Sequence, residues 1–351
     1  MKKFLIKLSY TVFPLWLLAV GLVLYLSLYV VPNIRGDISR LAFIPFGHEY
    51  DDRLEKQMLK DVLFPTIEKT DSLRHLHVQV LNIGDSFSQL GKGSHQNYLC
   101  QKGLTLANCK RDLYDSPIQY AYNIMDKDII DSTNVQVLIV EVAERDFERC
   151  IESFGVDKID MVEENDAFDG SDSGQDAHRW SIAGEREPNS WSLSRARDWV
   201  MYRIGRGNPI YTSQLDKDSF SSKEPNLLYF YSYDITNGVS LHPKNDEKVV
   251  QVFNTMCAKA QEKGLYLILM VAVDKYDLYQ QHIVNNPYPV KTINEDIERI
   301  LGQNPHLLLA KHCLLPLIEK GEQDVFRFTD THWSYKASEV VADELYQQIQ
   351  F

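Results

Sequence analysis

The sequence predicts an α/β protein of three layers, α/β/α, with a parallel sheet held between helices. Three observations carry this expectation. Residues 135–142 (VQVLIVEV) and 265–273 (LYLILMVAV) are nearly unbroken apolar runs of strand length, as a strand buried on both faces requires. Between them, residues 245–263 place Val249, Val252, Phe253, Met256, Cys257 and Ala260 on one helical face, with Gly264 as a stop. Strands alternating with such helices build parallel sheets, because each crossover returns the chain to the same edge.

The remaining elements follow in order. Residues 77–83 (HVQVLNI) read as a strand ending at Gly84, and residues 117–130 as a helix. Residues 157–189 are rich in Asp, Glu, Gly and Ser and poor in aliphatics, the composition of a surface insertion. The aromatic, weakly periodic stretch 191–240 has no assignable element, so an insertion is expected across 155–240. Residues 335–350 form a last amphipathic helix, with Ala337, Val340, Val341 and Leu345 inward.

Ahead of this domain, residues 11–31 (TVFPLWLLAVGLVLYLSLYVV) contain no charge. A helix of that length spans a hydrocarbon core of roughly 30 Å. Lys2, Lys3 and Lys7 precede it, so the positive-inside rule leaves residues 1–10 in the cytoplasm and 32–351 outside. A cleavable signal peptide competes with this anchor, and the Val-Val-Pro-Asn end of the stretch is not a small-residue cleavage site. Of the five cysteines, Cys100 and Cys109 flank a loop and are spaced for a short disulfide in an oxidising compartment. No cysteine or histidine spacing suggests a metal site, and no cofactor motif is found. The net charge of −12 argues against nucleic acid as a partner, since phosphate binding needs a clustered basic surface.

The chemistry is expected at strand ends. Gly84-Asp85-Ser86-Phe87-Ser88 follows the 77–83 strand directly, where sites in open α/β sheets form. A serine hydroxyl is a weak nucleophile until a base takes its proton. Thr329-Asp330-Thr331-His332-Trp333 supplies that base near the far end of the chain. Asp330 can hold one imidazole nitrogen of His332 while the other faces Ser86. The bland alternative is a helix-capping Ser86 and a His332 satisfied as an ordinary polar residue.

GDSFS followed late by DTHW resembles the SGNH (GDSL-like) hydrolase superfamily, and within it the alginate O-acetyltransferase-like branch. Val140-Glu141-Val142-Ala143-Glu144-Arg145-Asp146 and Val273-Asp274-Lys275-Tyr276-Asp277-Leu278-Tyr279 are similar to strand-end segments of that branch. The resemblance implies an SGNH-like fold with Ser86 as nucleophile, His332 as base and Asp330 as its orienter. It also implies an oxyanion hole, for which Arg145, Gly91 and Gly93 are the candidates, because the superfamily's Gly-x-Asn-Asp block is absent. Lys275, Tyr276 and Trp333 are candidate substrate contacts, with loop packing the alternative for Trp333. The implied activity is O-acyl transfer, acetyl foremost, onto an exported or cell-envelope polysaccharide. A membrane-bound O-acyltransferase partner would supply acyl groups to this single-pass, outward-facing enzyme. A carbohydrate esterase using the same triad and a non-catalytic glycan-binding or scaffold module are the competing readings.

Overall fold

The computed structural model describes residues 2–25, 36–42, 47–155 and 210–349. Helix α1 (Lys2–Tyr25) carries Pro14 in its interior and covers the first part of the apolar stretch 11–31; residues 26–31 lie outside the described residues. Among the described residues, no helix is long and apolar enough to cross a membrane.

Two short helices follow, α2 (Asp37–Ala42) and α3 (Gly47–Glu55). The chain then builds the sheet with β1 (Thr66–Ile67), β2 (Val80–Gly84), α4 (His95–Gln101), β3 (Leu106–Cys109), α5 (Pro117–Asp126), β4 (Val137–Ala143) and α6 (Phe147–Ser153). After residue 210 come β5 (Ile210–Gln214), β6 (Leu227–Tyr231), α7 (Tyr233–Thr236) and α8 (Asp246–Glu262). The chain closes with β7 (Tyr266–Ala272), α9 (Lys275–Tyr279), α10 (Ile293–Leu301), β8 (Leu307–Leu309), α11 (Ala310–Glu319) and α12 (Tyr335–Ile349).

Six strands form one parallel sheet in the order β1-β3-β2-β4-β7-β8. Both faces are buried, as the apolar runs predict. Val137 and Ile139 point into one core with Val80, Ile268 and Met270, shared with α4, α11 and α12. The alternate residues Leu138, Val140 and Val142 enter a second core with Leu81, Ile83 and Leu267, covered by α5, α8 and α10. The period-two alternation of a strand thus feeds two cores from one segment.

The three strands, the long helix and the terminal helix expected from sequence are all present, with ends shifted by a few residues. β1, β3 and β8, of two, four and three residues, are too short to carry a periodic signal. Within the expected insertion, residues 156–209 lie outside the described residues. The part that follows is an antiparallel hairpin of β5 and β6, so its aromatic residues are strand residues.

The disulfide between Cys100 and Cys109 does not form, and all five cysteines are free. The physical reason is topological: Cys100 packs on the α4 side of the sheet, while Cys109 faces the opposite core.

Chain direction decides where a site can lie. From β2 the chain moves outward to β3 and then returns past β2 to β4. The connections therefore diverge above the C-terminal ends of β2 and β4, the place where sites in open α/β sheets form. Ile139 sits at the centre of β4 with no exposed surface. Ile139→Ala is expected to destabilise the protein by about 2–5 kcal/mol, read as a lower urea midpoint at unchanged slope.

Candidate active site

β2 ends at Gly84, and the chain turns there because nothing larger fits. A Cβ at Gly84 would collide with the Ser88 hydroxyl and the Glu141 side chain. Asp85 then fastens the turn to the next strand. Its carboxylate accepts from the Ala143 N–H (3.1 Å) and from Arg111 Nε (2.8 Å). Ser86 opens a 3-10 turn, Ser86–Gln89, and is partly exposed, whereas Asp85, Phe87 and Ser88 around it are buried.

Below the turn lies a buried polar network. Asn82 Nδ2 donates to Ser88 Oγ (3.0 Å) and to Asn108 Oδ1 (2.8 Å), and Ser88 Oγ donates to Glu141 (2.8 Å). Asn108 and Gln96 both donate to the Ser88 carbonyl at 3.0 Å. Burial pushes the Glu141 carboxyl well above its usual range and drives the His95 imidazole down to about 3. Both are neutral groups of a positioning network. His95 and Tyr98 are buried residues of α4.

The late loop arrives on the other side. His332 Nε2 lies 2.7 Å from Ser86 Oγ, across 246 residues of sequence. His332 Nδ1 lies 2.5 Å from Asp330 Oδ1, which also accepts the His332 backbone N–H at 3.1 Å. His332 and Asp330 are only 2% and 3% exposed. Burial opposes ionisation of Asp330, but the facing His332 charge and hydrogen bonds more than offset it, holding the carboxyl far below its usual range. Serine, imidazole and carboxylate are thus in line, with one imidazole nitrogen fixed by the acid and the other at the hydroxyl.

What holds this loop was only partly visible in the sequence. Lys275, at the start of α9, is fully buried. Its ammonium donates to the carbonyls of Arg327 (2.7 Å), Phe328 (3.2 Å) and Asp330 (3.1 Å). It clamps the loop from beneath and does not line the cleft. From the opposite side come α2 and α3. Ser39 N–H donates to the Thr329 carbonyl (3.0 Å) and Thr329 Oγ1 to Asp51 (2.5 Å). Phe328 N–H donates to the Tyr50 hydroxyl (3.0 Å), and Thr331 N–H to Asp37 (2.7 Å). Gly36, at positive φ, lets the chain pass the loop; a Cβ there would collide with the Thr329 carbonyl. No periodicity or motif in residues 36–54 marks this role.

The other expected residues are placed differently. Arg145 does not pair with Asp146, which binds Arg149 at 2.9 Å. Arg145 instead reaches Asp274 (2.5 Å) and Asp234 (3.3 Å), and its guanidinium lies 5.9 Å from the Phe87 ring. Asp274 also binds Lys291 at 2.6 Å, so Arg145 belongs to a buried charge network. Tyr276 is buried and donates its hydroxyl to the Pro289 carbonyl (2.8 Å). Gly91 and Gly93 lie in the next turn; the Gly93 N–H is taken by the Leu90 carbonyl (3.2 Å) and its backbone packs near Met58. Trp333 is 1% exposed and meets Phe87 edge-on at 4.7 Å, so it packs the loop and is unavailable for stacking on a sugar.

Among the described residues, the one group of acidic and imidazole atoms near enough to share a cation is Asp37, Asp330 and His332, all within 4.8 Å of one another. Both imidazole nitrogens are already committed, to Asp330 and Ser86, so neither is free for a cation. No family model matches the chain, and no curated protein or solved structure matches it.

The Lys275 clamp carries a pH signature. Burial pulls its ammonium down to about 7, against the pull of Asp37 and Asp330. Its ordinary value is 10.5, so between pH 7 and 10.5 the unfolded chain holds more protons and stability rises with pH. Lys275→Met is expected to remove that slope. It should also cost roughly 1–3 kcal/mol at neutral pH through unmade hydrogen bonds, measured by urea unfolding across the pH range.

Proposed function

We propose that the chain is a serine acyltransferase that carries an acyl group, acetyl foremost, on Ser86 and delivers it to a polysaccharide hydroxyl. The observation that carries this reading is the Ser86–His332–Asp330 line, 2.7 Å and 2.5 Å long, at the C-terminal end of β2. Buried ionisable groups of this kind, aligned on a partly exposed hydroxyl, suit nucleophilic catalysis. SGNH-like character, with the alginate O-acetyltransferase-like branch closest in motif, is part of the same proposal.

The steps balance simply. His332 Nε2 takes the Ser86 proton as Oγ attacks the acyl carbonyl, and Asp330 steadies the imidazolium. Collapse of the tetrahedral intermediate breaks the bond to the donor's leaving oxygen, which receives the proton from His332. An acceptor hydroxyl then gives its proton to His332 and attacks the acyl-serine ester, regenerating Ser86. Backbone N–H groups of the first turn after β2 suit the developing oxyanion. Arg145, at 15% side-chain exposure and bound to two carboxylates, supports the site's field more than it offers a free donor.

The apolar stretch 11–31 and the lysines before it support a single-pass anchor with the domain outside the cytoplasm. There the acyl group would have to be delivered by a membrane-bound O-acyltransferase partner. An esterase would use the same triad with water as acceptor.

With a chromogenic acetyl ester, the purified chain should turn over and show an acetyl adduct on Ser86 by mass spectrometry. Ser86→Ala should fall to the buffer rate, and Asp330→Asn by roughly 10³–10⁴-fold. Unchanged turnover in Ser86→Ala would refute the assignment. With oligosaccharide present, acetylated sugar supports transfer, whereas free acetate alone identifies an esterase.

A further inference from the structure

We propose that Asp37 is a second carboxylate of the catalytic relay, a positioning residue that stabilises the imidazolium of His332 alongside Asp330; this rests on the acyl-transfer reading above.

Three observations support it. Asp37 Oδ2 lies 3.9 Å from His332 Nδ1, on the same side of the imidazole as Asp330. Asp37 is aimed there by three donors: the Ile38 N–H (2.7 Å), the Thr331 N–H (2.7 Å) and the Thr331 hydroxyl. Two of these come from the residue between Asp330 and His332, so the carboxylate and the imidazole are held on one rigid turn. Asp37 is itself 7% exposed, and a purely structural link between α2 and the loop would not require burying a carboxylate.

Burial and the nearby Asp330 charge push the Asp37 carboxyl up to about 6, with His332 and the Thr331 hydrogen bonds pulling the other way. The charged groups that face it are Asp330 and His332 on the catalytic loop, Lys275 at the start of α9 and Arg145 after β4. Tyr231 at the end of β6 also senses it. Lys275 and Arg145 both favour the ionised carboxylate. Above pH 6 Asp37 therefore faces His332 as an anion, and a charge at about 4 Å in a protein interior is strong enough to alter an imidazolium's stability severalfold. Below pH 6 it takes a proton and that contribution is lost.

The stability sign is opposite to the catalytic one. Its folded value lies above the unfolded 3.8, so the unfolded chain releases its proton first. Ionising Asp37 therefore lowers stability as pH rises from about 4 to 6. A charge-free replacement should be no less stable at pH 7.5, yet slower.

The test compares the full chain with Asp37→Asn and Asp37→Ser in chromogenic acetyl ester hydrolysis from pH 5 to 9. Asn keeps an acceptor for the Thr331 N–H, and the shorter Ser removes charge and acceptor together. The ratio of parent to variant kcat should rise from near one at pH 5 to roughly tenfold at pH 8, one pKa unit's worth of charge stabilisation, at similar KM and undiminished Tm. Asp37→Glu should recover most of the rate at pH 8. Tyr50→Phe, which removes the acceptor of the Phe328 N–H but keeps the Asp37 charge, should give a ratio that does not vary with pH. A pH-independent ratio for both charge-free variants, or rates equal to the parent, would overturn the proposal while leaving the Ser86 assignment standing. A parent no faster than Ser86→Ala at any pH would overturn both.

Discussion

The structure depends on one contact, the hydrogen bond between His332 Nε2 and Ser86 Oγ. Its two ends come from opposite regions of the chain, and neither can settle into place by local propensity. On the serine side, Gly84 allows the turn and Asp85 ties it to the end of β4. On the imidazole side, the loop 327–332 has no helix or strand of its own; a few internal bonds, Arg327 N–H to the His332 carbonyl among them, are joined by bonds from its neighbours. Lys275 binds three of its carbonyls, and the segment carrying Asp37, Tyr50 and Asp51 binds its other face.

Burial is why so many bonds are used. Inside the protein, Asp330 and His332 interact more strongly than they would in water, and an unpaired group there costs more. A loop displaced by an ångström would lose the alignment and strand polar atoms in a dry environment. Over-determination by Lys275 below and α2 and α3 above removes that alternative. The same packing explains the neighbouring aromatics. Phe87 touches both His332, at 4.9 Å, and Trp333, at 4.7 Å, so the residue after Ser86 and the residue after His332 lock against each other.

The sheet's interior and the meeting of Ser86 with the Asp330–His332 pair were legible in the sequence, for physical reasons. β4 and β7 are seven residues each and buried on both faces, which forces unbroken apolar runs. Ser86 and the Asp330–His332 pair stand at a strand end and before a helix, where chemistry-bearing residues have few other uses. What was not legible depends on contacts between distant parts of the chain. Asp37 and Asp51 look like any acidic residues on short helices, and only the fold brings them to the loop. Lys275 sits at a strand end, as a cleft residue would, but its long side chain turns inward to three carbonyls. Arg145 stands beside Asp146 in sequence, yet its partners Asp234 and Asp274 are 89 and 129 residues away. β3 and β8 are strands by virtue of their neighbours, being too brief to declare themselves.

The most direct test of the relay is covalent. Incubating the full chain with a fluorophosphonate and mapping the adduct by peptide mass spectrometry asks which serine is activated, whatever the natural acceptor. One adduct is predicted, on Ser86, and it should be absent in His332→Gln. Modification of Ser88 or another serine instead, or equal labelling of Ser86 without His332, would contradict the relay.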